Sequence, residues 1–134
     1  MKENEISKTL DELAANQNFA AGNDLVFIPD FTASFSDGFK NKVYRPGELA
    51  YCEKFANPME RFASTWAAKE AVYKAIKQLD SSPLGPKNIE IIRSHTAGKP
   101  NVVIHKEEAD YQISLTITHD GDYAWAIALI DTRR

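Results

Sequence analysis

The chain has one cysteine, Cys52, in 134 residues, which excludes an intrachain disulfide and any cysteine-built metal cage within one chain. No window approaches the roughly 20 apolar residues of a membrane span, and the first residues lack the basic start and unbroken apolar run of a secretory signal. These absences point to a reducing, cytoplasmic setting with no membrane. A basic excess is missing too. Lys and Arg number 16 against 19 Asp and Glu, a net charge of −3, whereas a nucleic-acid binder carries a positive patch or stripe for the phosphates. The one basic-leaning stretch, Lys40, Lys42, Arg45, Lys54 and Arg61, is diluted by Glu48, Glu53 and Glu60. By itself it reads as a solvated face, and it equally suits docking of an acidic protein. No nucleic-acid partner is expected, and there is no internal repeat or low-complexity tract.

What is present suits an ordinary globular protein. With 43% hydrophobic and 26% charged residues, the chain is neither disordered nor fibrous in composition, and its length suits one domain. Residues 1–134 are read as that domain, with 1–20 as an N-terminal helical extension. Ile6, Leu10, Leu13 and Ala14 recur at helical spacing within Glu3 to Ala15. Gly22-Asn23 then reads as a turn before a short buried strand, Leu25 to Ile28, ended by Pro29. Asp30 to Tyr44 reads as irregular, with a turn or two of helix. Pro46 opens a helix to about Phe55, and Asn57-Pro58 caps and starts a long one to about Leu79. After the break at Ser81 to Pro86 the chain alternates. Strands are expected over Asn88–Arg93, Asn101–Ile104, Tyr111–Thr118 and Tyr123–Ile130, the last two joined as a hairpin through His119-Asp120-Gly121-Asp122. Helices followed by a run of strands imply an α+β domain, a long helix packed on a largely antiparallel sheet.

On the long helix, Trp66-Ala67-Ala68-Lys69-Glu70-Ala71-Val72-Tyr73-Lys74 sets a lone carboxylate among aromatics. Stepping about 100° per residue puts Glu70 on one face with Met59, Ala63, Trp66 and Tyr73, with Lys74 one turn beyond. A buried carboxylate needs a metal, a cation or a wet cleft. Taken alone, the segment is more often a solvated Glu70–Lys74 pair at i,i+4. Two other polar clusters stand out, Gly22-Asn23-Asp24 and Thr118-His119-Asp120. Two distant carboxylates such as Asp24 and Glu70, brought together by folding, can hold Mg²⁺ with phosphate oxygens and waters, and a lysine one turn after the glutamate can hold a phosphate. Each cluster also has a plain reading: Asp24 as turn chemistry, His119 as a solvated loop histidine, Gly98-Lys99-Pro100 as a strand-joining turn.

In order along the chain, Gly22-Asn23-Asp24, Arg61-Phe62 with Trp66 to Lys74, Gly98-Lys99-Pro100 and Ser114 to Asp120 resemble the 4′-phosphopantetheinyl transferase superfamily. Its signature is G-x-D followed by (F/W)-x-x-K-E-A-x-x-K. The likeness runs from about Gly22 to Ile130, and its length and Thr-His-Asp segment look like the short, single-unit holo-acyl-carrier-protein synthase group. The resemblance implies transfer of the phosphopantetheine arm of coenzyme A to a serine of an acyl or peptidyl carrier protein, with release of 3′,5′-ADP. It implies Mg²⁺ on Asp24 and Glu70 and phosphate contact by Lys74. Lys69 and His119 are candidate contacts for the pyrophosphate or the nucleotide 3′-phosphate. Lys99 and Pro100 are expected to line the nucleotide pocket. Glu70, or a water at the metal, is the candidate general base. A homotrimer with sites between subunits is implied as well. The alternative is a non-catalytic family member that binds coenzyme A or a carrier protein.

Departures from the group pattern bear on docking. Family members often carry arginine where Thr65 stands, and basic residues where this chain has Pro29 to Ser34. Lys40, Lys42, Arg45 and Arg61 are the other available charges for an acidic carrier. Thr118 stands where serine is common and keeps the hydroxyl.

Overall fold

The structure, a computed structural model, describes residues 18–94 and 99–133. Strand β1 (Phe19–Phe27) is followed by three short helices, α1 (Ile28–Ser34), α2 (Asp37–Val43) and α3 (Pro46–Glu53), and by the long helix α4 (Pro58–Lys77). A 3₁₀ turn (Pro86–Asn88) leads to β2 (Ile89–Ile92), β3 (Asn101–Ile104), β4 (Gln112–Asp120) and β5 (Tyr123–Asp131). The strands form two antiparallel sheets, one ordered β1-β5-β4 and one pairing β2 with β3.

Helix α4 crosses the larger sheet and carries the core. Its Ala63, Ala67, Ala71 and Ala75 are fully buried, and they face a sheet that is equally small-sided. In β5, Ala124, Ala126 and Ala128 point inward and are fully buried, while Tyr123, Trp125, Ile127 and Leu129 alternate outward. Small residues on both partners bring backbone close to backbone, which gains dispersion contacts across the layer. The outward face departs from the polar-out rule of one-sided antiparallel sheets.

The start of the fold corrects the expected turn at Gly22-Asn23. Both residues lie within β1, which begins at Phe19 and pairs along β5 from Phe19↔Asp131 to Phe27↔Tyr123. Glycine is there for space. A Cβ at Gly22 would sit 2.7 Å from the Ala75 amide nitrogen and closer still to the Ala71 carbonyl oxygen, so only glycine lets the strand touch the helix. The strand ends at Phe27, and Pro29 sits in the first turn of α1, where its missing N–H costs nothing.

The stretch read as irregular resolves into α1 and α2, held by an aromatic cluster: Phe31, Phe35 and Phe39 pack on one another, and Phe39 meets Trp66 edge-on at 5.1 Å. A period-based reading fails there because each helix has only two turns. Helix α4 stops at Lys77, short of Leu79, and Asn57 stands at its N-cap without a side-chain hydrogen bond. The strands after the break fall where alternation put them, within about two residues at each end. The hairpin turns at Gly121, whose φ of +57° is the left-handed conformation glycine adopts without strain. The N-terminal helix expected over Glu3–Ala15, together with His95 and Gly98, lies outside the described residues.

Candidate active site

Alternation along β1 puts Ala20, Gly22, Asp24 and Val26 on the face that meets α4. Asp24 is therefore turned toward the helix from mid-strand, two residues beyond the glycine that allows the close approach. On α4, Glu70 and Lys74 are one turn apart. Lys74 Nζ lies 2.8 Å from Asp24 Oδ1 and donates at 3.1 Å to the Asn23 carbonyl. Glu70 is partly buried, and its carboxyl is held above the usual glutamate range, first by desolvation and then by the negative charge of Asp24, with Lys74 opposing. The three side chains thus share one electrostatic site at the edge of the helix–sheet layer.

This geometry overturns the surface-pair reading of the helix. Among the described residues no Glu70–Lys74 ion pair forms; the lysine crosses to the strand and bonds Asp24 instead. Two carboxylates with hard oxygen donors are brought to one place, and no group of three or more His, Cys, Asp or Glu side chains converges among the described residues. A divalent cation held here would take two ligands from the protein and the rest from phosphate oxygens and water, a donor set suited to Mg²⁺.

Lys69 is a correction. Although it precedes Glu70, its side chain points the other way and is 1% exposed. Its Nζ lies 2.7 Å from Glu48 Oε1 and donates to the carbonyls of Val43 (2.9 Å), Pro86 (2.9 Å) and Ile89 (2.6 Å). All its donor capacity is spent inside the protein, so it is not available to a pyrophosphate or a 3′-phosphate. The carboxylate of Glu48 is also used in full, by the amides of Arg45 and Ile91 at 2.8 Å each. The cluster fastens α3, α4 and β2 together. A proline-started short helix with Glu three residues in gave only a capping signal for Glu48; nothing in the sequence marked it as the partner of Lys69.

The remaining candidates stand apart from this centre within one chain. His119, near the end of β4, pairs across β5 with Ala124, and its Nε2 is 3.6 Å from Glu60 Oε1 at the start of α4. It is two strands from β1. Lys99 is exposed and Pro100 partly buried, both just before β3 in the smaller sheet. Two residues of the basic-leaning stretch are paired with carboxylates: Lys40 with Glu53 at 2.8 Å and Arg45 with Glu90 at 3.6 Å. At Thr65, Arg93 reaches in from the end of β2, its Nη1 3.4 Å from Thr65 Oγ1 and 2.9 Å from Ser64 Oγ. A guanidinium therefore occupies this place although the helix position itself is threonine.

The comparisons with known proteins bear on the family. Residues 20–128 match the family model described as the 4′-phosphopantetheinyl transferase superfamily. The chain is 35% identical over 112 residues to the holo-[acyl-carrier-protein] synthase of Chlorobaculum parvum, covering 81% of this chain and 95% of that one. It is 32% identical over 139 residues to the fatty acid synthase subunit alpha of Schizosaccharomyces pombe, covering 96% of this chain but 7% of that much longer one. Among solved structures it superposes on the Chronobacterium ammoniagenes ACPS–CoA complex with a TM-score of 0.74 and 29% identity, over 88% of this chain and all of that one. The family match over most of the chain, the identity to the synthases and the shared α+β architecture agree: the chain belongs to the 4′-phosphopantetheinyl transferase superfamily and is of its holo-acyl-carrier-protein synthase type.

Proposed function

We propose that this protein transfers the 4′-phosphopantetheine arm of coenzyme A to a serine hydroxyl of an apo acyl or peptidyl carrier protein, in the presence of Mg²⁺, with release of 3′,5′-ADP. The observation that carries the reading is the meeting of Asp24, Glu70 and Lys74 from a strand and a helix at one partly shielded spot, in a chain whose relatives are holo-[acyl-carrier-protein] synthases. In the step, the serine oxygen bonds to the phosphorus that carries the pantetheine arm, and the bridging oxygen leaves with 3′,5′-ADP. Asp24 and Glu70 would hold Mg²⁺, which when bound would supply charge neutralisation at the pyrophosphate and alignment of the phosphorus with the incoming oxygen.

The chain's own groups have distinct tasks. Lys74, half exposed on Asp24, is the cation placed to take a phosphate oxygen as ligand enters. Glu70, directly or through a water, is assigned to accept the serine proton. Lys99 and Pro100 are assigned to the nucleotide pocket and His119 to a phosphate. Because His119 and Lys99 lie away from Asp24 in one chain, the reading places complete sites between subunits of a homotrimer. The outer sheet face supports this: Leu25, Trp125 and Leu129 are 59%, 45% and 43% exposed and contiguous with Phe19, Phe27, Tyr123 and Ile127, an apolar surface of the kind that marks a protein contact. No helix among the described residues is long and apolar enough to cross a membrane, and we assign the protein to the cytoplasm, where coenzyme A and a free thiol such as Cys52 coexist.

The test is mass spectrometry of several apo carrier proteins incubated with the protein, coenzyme A and Mg²⁺. One carrier is expected to gain a single phosphopantetheine arm, and Asp24→Ala and Glu70→Ala to abolish the gain with unchanged circular dichroism. Full activity in either variant rejects the metal assignment. Coenzyme A binding without transfer to any carrier replaces the reading with a non-catalytic one.

A further inference from the structure

The edge of β1 that faces away from β5 is tied to helix α4 by two side chains. Near the two ends of β1, the Asn18 carbonyl accepts from the Thr132 amide at 2.9 Å and the Ile28 amide donates to the Asp122 carbonyl at 2.7 Å. Even-numbered residues therefore turn their backbone groups toward β5, and alternation turns those of Ala21 and Asn23 to the open edge. Both of these carbonyls are taken by α4. Lys74 Nζ donates to the Asn23 carbonyl at 3.1 Å, and Gln78 Nε2 donates to the Ala21 carbonyl. Gln78 Nε2 also lies 3.4 Å from the Lys74 carbonyl, so both neighbours of the amide nitrogen are acceptors. The spacings match: two residues of strand advance about 6.6 Å and four residues of helix about 6 Å. The pair thus works as a two-point clamp between elements that run antiparallel.

The clamp lies beside the site, because Asp24 directly follows Asn23. Gly22 against the backbone of Ala71 and Ala75 sets how closely the strand approaches the helix. Contact between small apolar groups has little directionality and does not fix how the strand slides along the helix, whereas hydrogen bonds do. Lys74 has a second task, since its Nζ is 2.8 Å from Asp24 Oδ1 and is the cation assigned to a phosphate oxygen. As that ammonium turns to phosphate, its hold on the Asn23 carbonyl weakens. Gln78 carries no charge, has no task in the reaction, and keeps the Ala21 carbonyl throughout. It is exposed, so its hydrogen bond replaces one to water and adds little to stability. Its contribution is direction.

We propose that Gln78 is a positioning residue: by holding the Ala21 carbonyl it fixes where β1 lies along α4, and so where Asp24 stands against Glu70 when Lys74 engages phosphate. This rests on the reading of Asp24 and Glu70 as Mg²⁺ ligands. Mg²⁺ demands near-octahedral geometry with ligands at about 2.0–2.1 Å, whereas Ca²⁺ takes about 6–8 oxygens in a pliant shell. A strand free to slide therefore weakens Mg²⁺ more than Ca²⁺. Capping an open strand edge against other strands would have no such selectivity.

Calorimetric titration of the full chain with Mg²⁺ and, separately, with Ca²⁺, each in the presence of coenzyme A, tests the role. Gln78→Met keeps the length of the side chain and removes its donor. Its Mg²⁺ affinity is expected to fall about five- to tenfold and its Ca²⁺ affinity by less than about twofold. Gln78→Lys regains an N–H donor and should return the ratio of the two affinities toward the wild-type value, because its added charge acts on both ions alike. Circular dichroism verifies that each variant is folded. Equal weakening of both ions in Gln78→Met shows general loosening, and no change in either shows an edge cap alone; each result overturns the proposal. A ratio in Gln78→Lys no different from that in Gln78→Met overturns it as well. If the wild type binds neither ion with coenzyme A present, the metal reading itself fails and the positioning role falls with it.

Discussion

Lys69 Nζ sits 2.7 Å from Glu48 Oε1 in full burial, while the next residue, Glu70, opens onto the site with Asp24 and Lys74. One helical step of about 100° separates a lysine that closes the core from a glutamate turned toward Asp24 and Lys74. The pair fixes the rotation of α4 about its axis, because any twist that moved Glu70 would pull Lys69 from Glu48 and from three carbonyls at once.

Removing one member of this pair should therefore be severe. Lys69→Met leaves a buried carboxylate and three backbone carbonyls without their ammonium, and the expected loss is about 3–5 kcal/mol. Urea unfolding measures it. Lys69→Met Glu48→Leu should recover only part, since Val43, Pro86 and Ile89 keep orphaned carbonyls and the amides of Arg45 and Ile91 lose their acceptor. A loss below about 1 kcal/mol in the single variant would show that the cluster does not fasten the helix.

Gly22→Ala addresses the contact between strand and helix. The added methyl group meets backbone atoms of Ala71 and Ala75, which have no side-chain freedom with which to yield. A destabilisation of about 2–3 kcal/mol is expected. Because β1 must retreat from α4, Asp24 retreats from Glu70 and Lys74, and transfer activity per folded molecule should fall as well. Unchanged activity at full folding would detach Gly22 from the site.

The raised proton affinity of Glu70 makes a signed pH prediction. A carboxyl that holds its proton more tightly folded than unfolded makes folding less favourable as pH rises from the ordinary glutamate range through the raised one. Glu70→Gln removes that penalty. Its melting temperature should match the wild type near the acid end of a series from about pH 4 to pH 8 and exceed it toward the neutral end. Mg²⁺, which compensates the same negative charge, should raise the wild type and leave Glu70→Gln nearly unmoved. The opposite ordering at neutral pH would contradict the desolvated carboxylate.

The outer face of β1 and β5 predicts an oligomer. Trp125→Lys and Leu25→Lys place a charge where the reading buries apolar surface between subunits, at a cost of several kcal/mol per desolvated ammonium. Sedimentation should show three copies for the wild type and one for the double variant, whose secondary structure is unchanged because both side chains point away from α4. A monomeric wild type would reject the trimer.

The sequence was most legible where local signals were strong. Proline and the Ala, Glu and Lys content located α4, and alternation located β4 and β5 with their glycine turn, because these are near-neighbour effects. The ordered motifs marked Asp24, Glu70 and Lys74 as companions. Gly22 was visible as a glycine and misread as a turn, since a close approach to a helix 50 residues away leaves the same single letter.

By itself, then, the sequence determined the family, the long helix and the hairpin, and it singled out three residues that the fold brings together. Tertiary structure decided which neighbour each charge took: Lys74 went to Asp24 and not to Glu70, Lys69 to Glu48 and not to a phosphate, and Arg93 to the flank of a helix that has threonine in its place. The reason is physical. Helical and strand periods are set within a few residues, but the partner of a charged side chain is set by which surfaces become buried together, and that depends on packing between elements far apart in the chain.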